Sequence, residues 1–216
     1  MENNTINSIE YKKYNSSYEK EVINIFVEAF KNYPLFDMVK DDFKTEEKYF
    51  SFYNNFMKAL FKATIRKNEC YIGINNGNVI SLVIIDAPTD KPVGFLDYLF
   101  SGGIKPILKL GLFNALKFLK LSDETEYVVK SIKEPRWHLY FLVVDPKYQS
   151  MGIGSNAINN FLIPFVKEKN GKLLTVTTNA KNNVKFYINN GFSLIKEETL
   201  KYKDRTVNNW SFRKNL

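Results

Sequence analysis

The sequence predicts an α/β protein of the mixed α+β kind. Helices come first, then a central mixed sheet flanked by helices, then two terminal antiparallel strands. Three stretches carry that prediction. Trp137–Val144 (WHLYFLVV) is a nearly continuous run of β-branched and aromatic residues, the pattern of a strand buried on both faces. Asp145-Pro146 stops it, because proline cannot continue a sheet ladder. Gln149, Gly152 and Gly154, followed by Ser155, Asn156 and Ala157, read as a loop turning into a helix. Earlier, Asn75-Asn76-Gly77-Asn78 separates two β-prone runs and reads as a hairpin turn, with Asn76-Gly77 favouring positive φ.

Taken in order, residues 1–16 read as a short tail or a first edge strand. Glu19–Phe30 is a helix, because Val22, Ile23, Phe26, Val27 and Phe30 recur on one face. Asn32 to Pro34 ends it. Thr45 is positioned to cap a second helix, and Lys48 at the third helical position denies it a full capping box. Phe50, Tyr53, Phe56, Met57, Leu60 and Phe61 give that helix its apolar side. Glu69–Ile74 and Val79–Ile85 are the hairpin strands.

Pro88 and Pro92 bound a loop, and Ser101-Gly102-Gly103 breaks the next segment. Ile104–Lys120 reads as a helix with Ile107, Leu108, Phe113, Leu116 and Leu119 on its apolar side. Residues 93–121 read as an insertion between the third and fourth strands. Glu124–Ile132 fits strand and helix alike. Gly154–Lys169 is the main helix, with Ile158, Phe161, Leu162 and Phe165 inward. Pro164 inside it is expected to free a carbonyl and bend it. Leu173–Thr178 is a strand, Val184–Ile188 a short helix, and Phe192–Lys201 with Asn209–Arg213 a closing antiparallel pair around Asp204-Arg205.

The glycine-bearing turn after the central strand has a chemical reading. Helix-start amides lack carbonyl partners and favour an anion, so the turn reads as a phosphate site. Gly152, Gly154 and Ala157 satisfy G-x-G-x-x-A. However, seven residues separate Val144 from Gly152, and no acidic residue stands near Lys172 and Leu173, as a dinucleotide fingerprint requires. A P-loop is excluded because Gly154 is followed by Ser155 with no lysine.

Gln149-Ser150-Met151-Gly152-Ile153-Gly154 instead resembles the acyl-CoA pyrophosphate loop, Gln/Arg-x-x-Gly-x-Gly/Ala, of the GCN5-related N-acetyltransferase (GNAT) superfamily. Asn183, Phe186-Tyr187 and Gly191-Phe192 resemble its downstream signature, in the same order. The two motifs cover roughly residues 137–192. One branch of the superfamily also carries a proline like Pro164, with His-Trp-Tyr-Leu where this chain has Arg136-Trp137-His138-Leu139.

The resemblance implies one GNAT domain over residues 1–216, with acetyl-CoA as cosubstrate and no metal. It implies direct acetyl transfer to a primary amine of a small molecule or peptide. Val143 and Val144 would lie beside the pantetheine and thioester. Gln149, Ser150, Met151, Gly152, Ile153, Gly154 and Ser155 would surround the pyrophosphate, and Asn183 would shape the next turn or bind cofactor. Tyr187 would be the acid for the leaving thiolate. Phe30, Tyr33, Leu35 and Phe36 are candidates for the acceptor wall. The general base stays open among Glu28, Asp37, Asp86, Asp97, Glu134, His138 and a water chain. His138 is the chemically apt member, since imidazole titrates near neutrality. The competing class is a non-catalytic acyl-CoA-binding regulatory or protein-interaction module.

Composition narrows the rest. One cysteine, Cys70, permits no intrachain disulfide and fits a reducing, cytoplasmic setting. The N-terminus has no apolar signal core. Val93–Leu121 is the most apolar region, but Lys105, Lys109, Lys117 and Lys120 argue against a spanning helix, and no membrane partner is expected. The formal net charge of +8 suits the phosphates of coenzyme A. Scattered lysines and few arginines argue against a nucleic-acid face. A monomer or homodimer is expected.

Overall fold

The computed structural model describes residues 8–216. Seven strands form one sheet in the order β1-β2-β3-β4-β5-β7-β6. They are β1 (Glu10–Lys13), β2 (Glu69–Asn75), β3 (Asn78–Asp86), β4 (Trp137–Val144), β5 (Leu173–Thr178), β6 (Ser193–Tyr202) and β7 (Arg205–Asn215). Only β4 and β5 pair in parallel; every other neighbour is antiparallel. The edge strand read within residues 1–16 is β1, and residues 1–7 of that stretch lie outside the described residues. The hairpin turn has Asn76 at φ 49° and Gly77 at φ 80°, the left-handed pair that Asn-Gly favours.

Helices pack on both faces. α1 (Glu19–Ala29), the short α2 (Pro34–Asp37) and α3 (Glu46–Ile65) join Ile72, Leu82, Ile84 and Val143 in one apolar core. Thr45 caps α3 by accepting the Lys48 amide at 3.3 Å. The second core holds Val83, Ile85, Leu139 and Phe212. The stretch Ala157–Leu162, which follows α7 (Ile153–Asn156), supplies it together with α8 (Ile163–Glu168) and α9 (Lys181–Asn189). A π-helical stretch, Ala157–Leu162, joins α7 to α8 immediately before Pro164. The expected disturbance from Pro164 is absorbed there, since a wider turn accommodates the missing donor.

The segment between β3 and β4 departs from expectation. It contains α4 (Phe95–Tyr98), a π-helical turn over Leu99–Gly103, α5 (Ile104–Leu110) and α6 (Leu112–Lys130). The predicted single helix over 104–120 is broken at Gly111, whose φ of 85° no helix accepts. Beyond the break, α6 runs on to Lys130 and settles most of the ambiguous 124–132 stretch as helix. The expected apolar side is also largely reversed. Pro106, Leu110, Ala115, Phe118 and Leu121 are buried, whereas Leu108, Phe113 and Leu116 face solvent. Sequence spacing reports a stripe but not which side meets the core once Gly111 resets the phase. Among the described residues no helix is long and apolar enough to cross a membrane.

Candidate active site

The site begins with a defect in the sheet. β4 pairs with β5 only over Trp137↔Leu174, His138↔Thr175 and Leu139↔Val176. On its other side, Ile85 faces Leu139 and Ile84 faces Phe141, so Tyr140 is an extra, bulged residue. A bulge increases local twist, and β4 parts from β5 directly after it. From Tyr140 onward the β5-facing edge of β4 has no strand partner among the described residues. A cleft of about 450 Å³ opens there, within the usual range for small-molecule sites.

Leu139–Leu142 of β4 and Val176–Asn179 at the end of β5 line the cleft, with Asn183 and Tyr187 of α9. Phe30, Tyr33, Leu35 and Phe36 form its α1–α2 wall, and Phe56 contributes from α3. Residues 93–95, Tyr98, Leu116, Phe118 and Leu119 of the β3–β4 segment line it too. Thus the four wall candidates and part of the insertion reach one cavity.

A hydrogen-bonded cluster fixes the β5 end. Asn183 Nδ2 donates to Thr178 Oγ1 at 3.0 Å, and the Ala180 amide donates to the same oxygen at 3.3 Å. The Tyr33 hydroxyl lies 3.2 Å from Thr178 Oγ1 and accepts the Asn179 amide at 2.8 Å. Asn183 therefore shapes this turn through its amide nitrogen. Tyr187 is only 6% exposed, and burial, then Tyr33, raises its hydroxyl above the ordinary phenol value. Tyr187 lines the cleft, and its hydroxyl keeps its proton at neutral pH.

Part of the cleft lining is acidic. Asp86, at the tip of β3, lines it with Asp123, Glu126 and Lys130 of α6. Lys130 pairs with Glu126 at 3.0 Å and Asp123 at 3.7 Å. Among the described residues, Asp86 Oδ1 is buried without a hydrogen-bond partner. Burial, with Asp90 adding to it, pushes the Asp86 carboxyl up to about 6. The other carboxylates considered as bases are elsewhere engaged or outside the cleft. Asp37 accepts the Tyr49 hydroxyl, Asp97 pairs with Lys67 and Glu134 with Arg213. Glu28 lines a separate surface hollow.

His138 does not line the cleft. It is 4% exposed, with Nδ1 3.0 Å from Thr175 Oγ1. That hydroxyl donates to the Trp137 carbonyl at 3.2 Å, so Nδ1 carries the proton and Thr175 accepts it. Burial, aided by Arg136 and Lys130, brings the imidazole down to about 4.

The loop residues lie past the cleft, at the C-terminal end of β4. Val143 is buried, and Gln149 Nε2 donates to the Val144 carbonyl at 3.2 Å, closing the loop on its strand. Ser150 and Gly152 adopt left-handed φ of 64° and 78°, and Met151 between them is exposed. The Asn156 amide bonds the Gly152 carbonyl at 2.9 Å, which leaves the Ile153, Gly154 and Ser155 amides as the unpaired first turn. The side chain of Ile153 is buried, so its backbone alone is available. Ser155 Oγ accepts from Asn190 Nδ2 at 3.1 Å.

The two glycines serve different ends. A Cβ on Gly152 would meet nothing within 4 Å, so its requirement is conformational. A Cβ on Gly154 would come within 3.1 Å of Phe186 Cζ, so here glycine permits close packing of α7 on α9. The sequence reading missed Tyr140, Thr178, Asn179 and Glu126. The doubled Thr177-Thr178 before Asn179 was the one available signal.

Residues 114–206 match the acetyltransferase (GNAT) domain family. Over that stretch the chain is similar to a GNAT acetyltransferase domain. The match spans α6 through the start of β7 and includes both the splayed strands and the loop. No curated protein matches the sequence. Solved structures of similar fold cover nearly the whole chain. The Drosophila melanogaster polyamine N-acetyltransferase, which forms N-acetylagmatine, is 12% identical, with TM-score 0.59 over 97% of this chain and 100% of that one. The C-terminal condensation domain of Ebony, in complex with β-alanyl-dopamine, is 11% identical, with TM-score 0.66 over 97% and 99%. A GNAT family acetyltransferase from Elizabethkingia anophelis with acetyl-CoA bound is 12% identical, with TM-score 0.52 over 97% and 99%. At these identities the likeness is one of fold.

Proposed function

We propose that this chain is an acetyl-CoA-dependent N-acetyltransferase. It moves an acetyl group directly to the primary amine of a small molecule with an apolar or aromatic body. The reading takes residues 1–216 as one domain whose β3–β4 segment, residues 93–121 included, covers the cleft.

The observation that carries the proposal is the parting of β4 from β5 at Tyr140, next to an anion-suited loop. The free β4 edge over Tyr140–Val144 offers backbone groups to an extended amide chain such as pantetheine. The amides of Ile153, Gly154 and Ser155 suit a pyrophosphate. Acetyl-CoA supplies an already activated thioester. The chain's own residues then have three tasks: orienting the amine, handling its proton and stabilising the leaving thiolate.

Tyr187 donates its hydroxyl hydrogen bond to that thiolate as charge develops. Its raised affinity for the proton means it stays neutral before the reaction. Asp86 is the cleft carboxylate without a partner, and it meets the acceptor ammonium. Above about pH 6 it is ionised, and it can then hold or receive the ammonium proton. His138, neutral and walled off, has no part in this scheme. The aromatic walls and the acidic part of the lining favour a cationic amine on an apolar frame. The solved neighbours that form N-acetylagmatine or hold β-alanyl-dopamine agree with a small amine.

Thiol release from acetyl-CoA across a panel of arylalkylamines, diamines and peptides tests the reading. Release with no amine, together with no coenzyme A binding, would remove it.

A further inference from the structure

The segment over the cleft presents an apolar surface that the acetyl-transfer scheme does not use. Leu96, Phe100, Ile104, Leu108, Leu112 and Phe113 are all exposed, from 58% for Ile104 to 76% for Leu108. Six large apolar side chains within 18 consecutive positions form a concentration that soluble surfaces generally avoid. They are held there by structure. Pro106, Leu110 and Ala115 are buried beneath them, so α5 and the start of α6 are fixed with this side outward. Gly102 at φ 100° and Gly111 at φ 85° break the segment into short pieces.

From Tyr98 to Ser122 its charges are of one sign. Between Asp97 and Asp123 the chain has four lysines, Lys105, Lys109, Lys117 and Lys120, and no aspartate or glutamate. All four are exposed. Among the described residues, Lys105, Lys109 and Lys117 form no ion pair, and Lys120 has only Glu124 at 3.8 Å. Exposed Leu, Ile and Phe interleaved with exposed lysines fit an interface that is apolar within and negatively charged at its rim.

We propose that residues 96–120 dock this protein on an anionic lipid bilayer, lying in the headgroup region without crossing it. The same lysines that argue against a spanning helix supply the attraction to anionic headgroups. A second copy of the chain fits less well, because two such faces would bring eight lysines together without an acid between them. Leu116 and Leu119 lie in the same segment and line the cleft, so the docked face adjoins the cleft. The proposal stands apart from the acetyl-transfer reading.

Co-sedimentation of the whole protein with vesicles tests it. One set is phosphatidylcholine alone, and the other contains about 30% phosphatidylserine. Binding to the anionic set is expected, falling as salt is raised. Replacing Phe100, Leu108 and Phe113 by Ser should bring it to background. Each Lys→Gln change among the four should weaken partitioning about fivefold. The substituted side chains are exposed, and circular dichroism checks that the variants remain folded. No binding to anionic vesicles, equal binding to both sets, or binding indifferent to the Ser variant would overturn the proposal. So would a micromolar dimer that the Ser substitutions dissociate.

Discussion

The Tyr33 hydroxyl accepts the backbone N–H of Asn179 at 2.8 Å, joining two residues 146 positions apart. This bond ties the α1–α2 wall of the cleft to the end of β5. Tyr33→Phe keeps the ring but leaves the Asn179 amide unpaired, at a cost of roughly 1–3 kcal/mol. Urea denaturation should show that loss. The acceptor KM should rise more than kcat falls, because the wall positions and does not react. Wild-type stability and KM would show that the bond has no role in positioning.

Gly152 and Gly154 should fail differently. Gly152→Ala imposes a left-handed φ on an L-residue, costing roughly 1–2 kcal/mol or distorting the loop. Calorimetric coenzyme A affinity should fall, and no second substitution should restore it. Gly154→Ala presses on Phe186, so Phe186→Leu should relieve much of the damage. A double-mutant cycle with no coupling between 154 and 186 would contradict the packing account.

Asp86 gives a pH prediction. Its folded-state value of about 6 lies above the roughly 3.9 of an unfolded aspartate. Its contribution to stability is therefore full below about pH 4 and is lost as pH rises through about 6. Asp86→Asn removes that dependence, so its Tm relative to wild type should increase from pH 4 to pH 7. In kcat/KM the limb near pH 6 should disappear and the rate above it should drop. An unchanged limb would assign the ionisation to another group.

His138 should act on stability alone. Its imidazole, held near 4, lies below the unfolded value of about 6.5. The stabilisation is present above about pH 6.5 and lost as pH falls toward 4, on the order of 3 kcal/mol in all. His138→Gln should flatten the acid limb of a denaturation series and leave the pH–rate profile of the folded enzyme in place. A shifted profile would return His138 to the proton pathway.

Much of the architecture was readable because local signals agreed with one another. Trp137–Val144 could hardly be anything but a buried strand, and Asn76-Gly77 specified its own turn. The loop was readable because a left-handed position needs glycine. What stayed hidden depended on partners distant in sequence. Nothing in Trp137–Val144 marks Tyr140 as the bulged residue; that emerges only from the register with β3. Asp86 looked like four other carboxylates until burial and the lack of a partner separated it from them. Phe186 supplied the reason for Gly154, 32 positions away. The α5–α6 surface was misjudged because a helix pattern was extended across Gly111.

Acetyl-CoA turnover tests the central claim most directly. Thiol release should appear with at least one small primary amine and exceed the rate without amine. In Tyr187→Phe it should fall about 10²- to 10⁴-fold while calorimetric acetyl-CoA affinity stays near wild type. A folded wild-type protein that binds no coenzyme A and releases no thiol with any amine would contradict the account.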